Sequence, residues 1–179
     1  MIYIFKGKQR QYKTTTMVAA ALWYHLRGYA LSEIYSNIRL YHPNGEELKS
    51  YHYKNIAEMR LFVREMVEKG FQHIIVIIDE IDRVFPHRFW NRFGQTEALL
   101  GLWQDEKLFI IVMGTMHIGK GMDLLLRESM QVEVFTKFDK VNKVVKLVGV
   151  DTLNRRIFKD KMINVALVQK LFDSWKAVT

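Results

Sequence analysis

Apolar residues recur along this chain in short runs and in helical spacings, and the two kinds of pattern alternate. Runs at 2–6, 73–79 and 108–114 predict buried strands, because they are short and rich in β-branched residues. Apolar positions three and four residues apart predict helices over 13–27, 56–69, 95–103 and 122–128. Such an alternation predicts an α/β fold, in which a mainly parallel sheet has helices on both faces.

The remaining patterns predict a strand at 33–40 and two closing elements. Residues 131–138 and 143–150 alternate between apolar and polar and predict an antiparallel hairpin. Beyond them, the apolar positions of 163–175 have the spacing of an amphipathic C-terminal helix. We therefore expect the hairpin and this helix to complete the α/β core.

Length and composition set limits on the class of protein. The chain has 179 residues, of which 49% are hydrophobic, and it contains no cysteine. This is enough for one domain over 1–179 with its own core, and it excludes a disulfide framework and a thiolate zinc site. The apolar runs are too short to cross a bilayer, and the first residues lack the features of a secretory signal. We expect a soluble protein without membrane insertion.

The net charge of +8 is unevenly distributed along the chain. Residues 1–32 contain five basic residues and no acid, and 131–179 contain ten Lys or Arg against five Asp or Glu. A basic excess favours a polyanionic partner through steering and counterion release. We expect this partner to be DNA; the alternatives are that the charge serves solubility or forms a basic pocket for nucleotide phosphates alone.

A phosphate-binding signature follows the first predicted strand. It has the spacing G-x-x-x-x-G-K-[ST] and comprises Gly7, Lys8, Gln9, Arg10, Gln11, Tyr12, Lys13 and Thr14. In such a loop, backbone N–H groups and a helix N-terminus bind the phosphates of ATP, the lysine contacts the β- and γ-phosphates, and the hydroxyl binds Mg²⁺. Lys13 is thus the predicted phosphate lysine and Thr14 the predicted magnesium ligand, with Thr15 as a second hydroxyl.

Tyr12 departs from this signature, because it stands where the second glycine belongs. Glycine permits a positive φ and leaves no side chain near the anion. A tyrosine at positive φ costs about 1–3 kcal/mol, and its ring either covers the site or lies elsewhere. Two interpretations follow: a loop that still binds Mg-ATP, and a remodelled loop in a fold that no longer hydrolyses ATP.

Polar residues end the next two predicted strands of the core. Asp79 and Glu80 follow a buried strand, where a carboxylate is placed to hold Mg²⁺ and a second one to orient the attacking water. We predict Asp79 as the metal ligand and Glu80 as the water-orienting residue. Thr115 and His117 end the following strand and are candidate sensors of the γ-phosphate. The alternative for Asp79 and Glu80 is solvation of a strand end, and for His117 it is an ordinary surface or packing residue.

These segments together resemble the HerA/FtsK branch of P-loop ATPases, in particular viral genome-packaging and Zot-like ATPases. The resemblance covers about residues 2–130 and rests on 7–15, 35–40, 74–80 and 115–127. It implies a RecA-like core in which the sensor strand lies between the loop strand and the Asp-Glu strand. Met116 departs from the family, which usually has a sensor glutamine at that position.

The family resemblance also implies a ring, usually hexameric, with ATP sites between subunits and a channel that moves DNA. In such a ring, an arginine of the neighbouring subunit contacts the γ-phosphate. Arg127 lies in the segment most similar to the family, and Arg88 is the next candidate, followed by Arg83 and Arg92. For each arginine, the alternative is a surface charge paired with an acid.

Two further segments are candidate contacts for DNA. Residues 85–93 are rich in aromatic and basic side chains, which either stack on bases or pack at a subunit interface; we favour the interface. Lysines cluster around the predicted hairpin, at Lys137, Lys140, Lys143 and Lys146. They either face DNA or protect an edge strand.

The sequence thus supports three hypotheses. The first is an ATP-driven DNA translocase for viral genome packaging, in the host cytoplasm or associated with the virion, with capsid or virion proteins as further partners. The second is a non-hydrolysing P-loop scaffold or DNA-binding assembly protein, and the third is a small-molecule kinase. Turnover stimulated by duplex DNA favours the first, and DNA binding without hydrolysis favours the second.

Overall fold

The computed structural model describes residues 1–34, 38–53, 56–84, 101, 108–118 and 124–173. The first half contains β1 (Ile2–Gly7), α1 (Lys13–His25), β2 (Ala30–Glu33), β3 (Arg39–Leu40), β4 (Tyr51–His52), α2 (Ile56–Glu68), β5 (His73–Ile78) and α3 (Ile81–Val84). The second half contains β6 (Phe109–His117), α4 (Leu124–Ser129), β7 (Val132–Asp139), β8 (Val144–Asp151), β9 (Arg156–Asn164), α5 (Val165–Val168) and β10 (Phe172–Asp173).

One eight-stranded sheet organises the fold, in the order β4-β2-β5-β6-β1-β7-β8-β9. The pairs from β4 to β7 are parallel, and β7, β8 and β9 are antiparallel. The strand β6 lies between β1 and β5, which is the arrangement that the family resemblance implies. Parallel strands end at the same edge of a sheet, so the residues that follow β1, β5 and β6 come together there.

The central strand β5 explains why the sequence contains a continuous apolar run. Ile74, Val76 and Ile78 pack in a core cluster with residues of α2, and Ile75 and Ile77 pack in a second cluster with residues of α1. A strand covered by helices on both faces needs apolar residues at every position rather than at alternate ones. The prediction of an α/β sheet with helices on both faces is confirmed.

The predicted strand at 33–40 is wrong in its position. The pairing of β2 with β5 runs from Ala30 opposite Ile74 to Glu33 opposite Ile77, so the strand ends where the prediction begins. Of the predicted segment, Glu33 ends β2 and Arg39–Leu40 form β3, which pairs with β10 outside the main sheet, whereas residues 35–37 lie outside the described residues. Contacts with β5 therefore overrode the local pattern. The predicted helix at 95–103 lies outside the described residues, apart from Gly101.

The predicted hairpin is present as β7 and β8, but the continuous C-terminal helix is not. Residue Ile163 belongs to β9, an additional strand that pairs with β8. Between residues 163 and 173, helical structure is confined to α5 and a single 3₁₀ turn at Gln169–Leu171, with the Asn164 side chain accepting from Ala166 N. Residues 174 and 175 of the predicted helix lie outside the described residues. The ladder with β8 and the pairing of β10 with β3 outweigh the helical spacing of the apolar residues. In the part of the chain described, none of the helices is long and apolar enough to cross a bilayer.

Candidate nucleotide-binding site

The loop between β1 and α1 has a positive φ at the position of the signature's second glycine. Arg10 and Tyr12 have φ of 59° and 57°, in the left-handed region that glycine usually supplies. Tyr12 is the N-cap of α1 and gives no side-chain cap, and the first turn of α1 contains no acidic residue. The N–H groups at this helix end are therefore suited to bind an anion.

The ring of Tyr12 packs against β7. Its centroid lies 4.5 Å from that of Phe138, and the neighbouring Gln11 Oε1 accepts a hydrogen bond of 2.6 Å from Phe138 N. The start of the loop also approaches β7 closely, because a Cβ on Gly7 would lie 2.5 Å from Thr136 Oγ1. The structure thus shows how a tyrosine is accommodated: its backbone adopts the positive φ, and its ring has a partner on β7.

Lys13 is buried inside the loop at the start of α1. Its Nζ donates to Lys8 O at 3.1 Å and lies 3.3 Å from His117 Nδ1. Burial lowers the pKa of Lys13, and the carboxylates of Asp79 and Glu80 raise it in opposition. The ammonium of Lys13 therefore lies close to the backbone of the loop, and an anion in the loop would stabilise its charged form.

The Asp79 carboxylate is held by two hydroxyls that donate to the same oxygen. Asp79 Oδ1 accepts from Thr14 Oγ1 at 3.0 Å and from Thr115 Oγ1 at 2.5 Å. Burial raises the pKa of Asp79, and the hydrogen bonds from Thr115 and Thr14 lower it. A carboxylate beside a hydroxyl is a donor set that fits Mg²⁺, which takes oxygen ligands and one or two carboxylates beside substrate phosphates.

Glu80 reaches the same cleft as Asp79 because the chain turns sharply at this residue. Its φ is 51°, and its N–H donates to Thr115 Oγ1 at 2.8 Å, so the side chains of adjacent residues lie on one side. Its carboxylate forms an ion pair of 2.8 Å with Arg83 and lies 3.7 Å from His117 Nε2. A left-handed conformation at a non-glycine residue is a strain often found at functional sites.

The strand β6 places its polar residues toward this cleft. Thr115 contacts Asp79, and His117 lies between Lys13 and Glu80. Alternation along the strand turns Met116 the other way, into the core cluster. The position where the family usually has glutamine thus faces the core, and the residues on either side of it reach the site.

The structure brings some predicted site residues together and places others apart. Side chains of Lys8, Gln9 and Arg10 are exposed on the loop, and Thr15 is buried in α1. Arg127 is exposed on α4, whereas Arg88 lies outside the described residues, with Arg92 and the rest of 85–93. Exposed lysines surround the hairpin, at Lys137, Lys140, Lys143 and Lys146, and Lys146 Nζ pairs with Asp139 at 2.9 Å.

Sequence reasoning misses two contacts of the site. Arg83 is a candidate for an arginine acting on a neighbouring subunit, but it pairs with Glu80 of its own chain. The spacing of three residues between the two is the signal that could have indicated this pair. The docking of Gln11 and Tyr12 on Phe138 joins residues more than 120 positions apart, and no sequence pattern signals it.

The parallel sheet, the left-handed loop before α1 and the carboxylates after β5 together define a P-loop NTPase fold. Within this class, the chain belongs to the zonular occludens toxin (Zot) family, whose family model matches residues 1–151.

Solved structures show the same fold at low sequence identity. The genome packaging NTPase B204 from Sulfolobus turreted icosahedral virus 2, in complex with sulfate, has a TM-score of 0.62 and 11% identity, with 90% of this chain and 96% of that chain covered. The N-terminal domain of zonular occludens toxin from Neisseria meningitidis has a TM-score of 0.60 and 15% identity, with 96% of this chain and 98% of that chain covered. The DNA-packaging ATPase B204 from Sulfolobus turreted icosahedral virus has a TM-score of 0.62 and 12% identity, with 90% of this chain and 97% of that chain covered. No curated protein sequence matches the chain.

Substitutions of Tyr12 should separate its backbone strain from its ring packing. We expect Tyr12→Ala to lower the free energy of unfolding by about 1–3 kcal/mol, because it loses the contact with Phe138 and keeps the positive φ. Tyr12→Gly should regain about 1 kcal/mol of this loss by relieving the strain, and Tyr12→Phe should match the wild type. Urea denaturation measures the order; an Ala variant as stable as the wild type would show that the ring contributes nothing.

Proposed function

We propose that this chain is an ATPase subunit that couples hydrolysis of Mg-ATP to the translocation of DNA in the packaging of a viral genome. The observation that carries the proposal is the meeting of Lys13, Thr14, Asp79 and Glu80 at one edge of the sheet, beside a loop with the phosphate-binding conformation. Each of the four has the chemistry that its place in such a site requires.

Nucleotide binding rests on the loop and on Lys13. The uncapped N-terminus of α1 supplies N–H donors, and the buried ammonium supplies a positive charge near them. The packaging NTPase B204 was crystallised with ATP-gammaS and with AMPPCP, and a structure of the same fold suggests the same class of ligand here. We extend this to our chain because Tyr12 has the positive φ that the glycine of the signature would supply.

Hydrolysis rests on the two carboxylates that follow β5. Thr14 and Asp79 would hold Mg²⁺, which when bound neutralises charge on the β- and γ-phosphate oxygens. Glu80 orients the attacking water and accepts its proton, and His117, between Glu80 and Lys13, is placed to sense the γ-phosphate.

DNA translocation and a ring oligomer are the finer parts of the proposal. The lysine-bearing hairpin and the net charge of +8 suit a polyanion. Arg127 is exposed, as an arginine acting on a neighbouring subunit must be, and Arg88 is the alternative. Capsid or virion proteins would be the further partners, in the host cytoplasm or at the virion. A hexamer is the ring size that the family resemblance implies.

Phosphate release from Mg-ATP, measured with and without linear duplex DNA, tests this proposal. We expect turnover that DNA stimulates, and we expect Lys13→Ala to weaken Mg-ATP binding in calorimetry by roughly 10- to 100-fold, since it removes a charge-assisted hydrogen bond. Lys69→Ala is the matched control, because Lys69 follows α2 away from the loop. Equal affinity of the wild type and Lys13→Ala would remove this lysine from the mechanism.

A non-hydrolysing scaffold is the second candidate, and the ion pair between Glu80 and Arg83 favours it, because it occupies the carboxylate that must reach water. The same assay distinguishes the two. Binding of Mg-ATP and of DNA without phosphate release, and with no effect of DNA on nucleotide affinity, would support the scaffold and contradict the motor.

A further inference from the structure

A row of aromatic rings lies on the α1 face of the sheet at the amino ends of the strands. Its members are Trp23, Tyr24, Tyr29, His73 and Phe109, which we call the aromatic row. The first two lie in the last turns of α1, the third precedes β2, and the others begin β5 and β6. Neither the phosphate loop nor the residues after β5 belong to it, so the nucleotide site leaves this surface unexplained.

The strand register makes the row continuous. His73 is directly opposite Phe109, and Tyr29 directly precedes Ala30, which is opposite Ile74. Successive ring centroids are 4.9, 5.1, 4.8 and 5.0 Å apart, from Trp23 through Tyr24, Tyr29 and His73 to Phe109. The last two rings are stacked at 10°. Such contacts fix the orientation of the rings before any partner binds.

The two ends of the aromatic row are exposed, and one of them is covered by a cation. Trp23 is 51% exposed and Phe109 is 62% exposed, although large aromatic residues are usually well buried. The guanidinium of Arg27 lies 3.5 Å from the Trp23 ring centre and donates to Trp23 O at 2.9 Å. A cation held over an exposed indole presents charge and an aromatic face together.

We propose that the aromatic row is a second nucleic-acid contact, which binds unpaired bases of single-stranded DNA. Exposed rings offer faces on which splayed bases stack, and an adjacent arginine suits the backbone phosphate. Charge favours this occupant over a protein partner, because residues 1–32 have no acid to repel phosphates. A duplex keeps its base faces stacked inside and cannot use the row in this way. The inference rests on the proposed function only in taking DNA as the partner.

The aromatic row and the nucleotide site lie at opposite ends of the same strands. Phe109 begins β6 and His117 ends it, which separates them by roughly 26 Å at about 3.3 Å per residue. Single-stranded DNA on the row would therefore leave the phosphate loop accessible. Binding at the two sites should be measurable separately.

Fluorescence anisotropy of a fluorescein-labelled dT20 strand, in the absence of nucleotide, tests the inference on the full chain. We expect Trp23→Ala and Phe109→Ala each to weaken binding of dT20 roughly tenfold, and the double variant to weaken it further. Trp23→Phe keeps a ring and should stay within about threefold of the wild type. Leu61→Ala is the matched control, since Leu61 is an exposed apolar residue on α2 (59% exposed).

A matched 20-base-pair duplex and a second readout complete the test. Affinity for the duplex should stay within about twofold in the same variants, because its bases are not free to stack on the row. Binding of dT20 should quench tryptophan fluorescence in the wild type but less in Trp23→Phe. Wild-type affinity of the alanine variants for dT20, or an equal loss for the duplex, would overturn the inference. A lower assembly mass in sedimentation with unchanged DNA affinity would also overturn it and identify an interface between copies.

ATP hydrolysis without DNA, measured in the same variants, separates this inference from the proposed function. We expect the basal rate to be unchanged, because the row lies away from the loop. If the wild type releases no phosphate but Trp23→Ala weakens dT20 binding, the inference about the aromatic row is supported and the proposed motor function is contradicted. If DNA stimulates ATP hydrolysis but the alanine variants bind dT20 normally, the proposed motor function is supported and the inference about the aromatic row is contradicted.

Discussion

Glu80→Gln is expected to reduce ATP hydrolysis by about 10²- to 10⁴-fold, the range for loss of a general base, while affinity for Mg-ATP stays within about threefold of the wild type. Glutamine keeps the size of the side chain but cannot accept the proton of water. The two effects separate because the groups proposed to bind phosphate and metal, Lys13, Thr14 and Asp79, are unchanged. Single-turnover phosphate release measures the rate, and calorimetry measures the affinity.

The structure gives this experiment two useful controls. The backbone of Glu80 is held by its N–H bond to Thr115, which the substitution leaves in place, so the variant should fold. Glu128→Gln changes an exposed glutamate on α4 and should hydrolyse ATP normally. An Arg83→Gln variant removes the ion pair with Glu80, and an increase in its rate would show that the pair restrains the carboxylate. Unchanged hydrolysis by Glu80→Gln would exclude Glu80 as the base.

Glu33→Gln is expected to make the protein more stable above pH 7, by up to about 3 kcal/mol. Glu33 is only 1% exposed at the end of β2, with one hydrogen bond of 2.5 Å from Ser50 Oγ. Burial raises the pKa of Glu33 to about 7 from an ordinary value of 4.5; the Ser50 hydrogen bond lowers it, and nearby Glu47 raises it. The difference between these two pKa values corresponds to about 3 kcal/mol of differential stability between the protonated and the ionised carboxyl.

The pH dependence of this effect has a definite sign. Below pH 4.5 the carboxyl is protonated in the folded and unfolded chains alike, and its pKa adds no pH dependence. Between about 4.5 and 7 the unfolded chain ionises while the folded chain keeps its proton, so the wild type loses stability as the pH rises. Urea denaturation at about pH 5 and about pH 8 spans most of this interval. Between these two pH values the free energy of unfolding should fall less for Glu33→Gln than for the wild type.

Ser50→Ala provides the opposite control for Glu33. It removes the donor that favours the ionised carboxylate, so the pKa of Glu33 should rise further and the loss of stability toward alkaline pH should increase. A Glu33→Gln variant with the same pH dependence as the wild type would show that other groups cause it. The two substitutions together test the sign as well as the size of the effect.

The meeting of the candidate-site residues at one edge of the sheet was largely predictable, because each is tied to a local pattern. Lys13 and Thr14 follow a short strand at a fixed spacing, and Asp79 and Glu80 end an apolar run, so adjacent parallel strands had to bring them near one another. The geometry of Glu80 was not predictable. Its left-handed φ is needed to turn its side chain beside that of Asp79, and it depends on a hydrogen bond to Thr115 on another strand.

The sequence by itself determined the α/β class, the position of the phosphate loop and the acids that face it, since these depend on short-range spacing and on runs of apolar residues. Tertiary structure decided three matters that local patterns cannot express. The ring of Tyr12 packs against Phe138, Met116 points into the core, and the segment expected to form a C-terminal helix is mainly strand and turn. In each case contacts between residues distant in sequence contribute more free energy than the local preference, so the outcome depends on the assembled sheet.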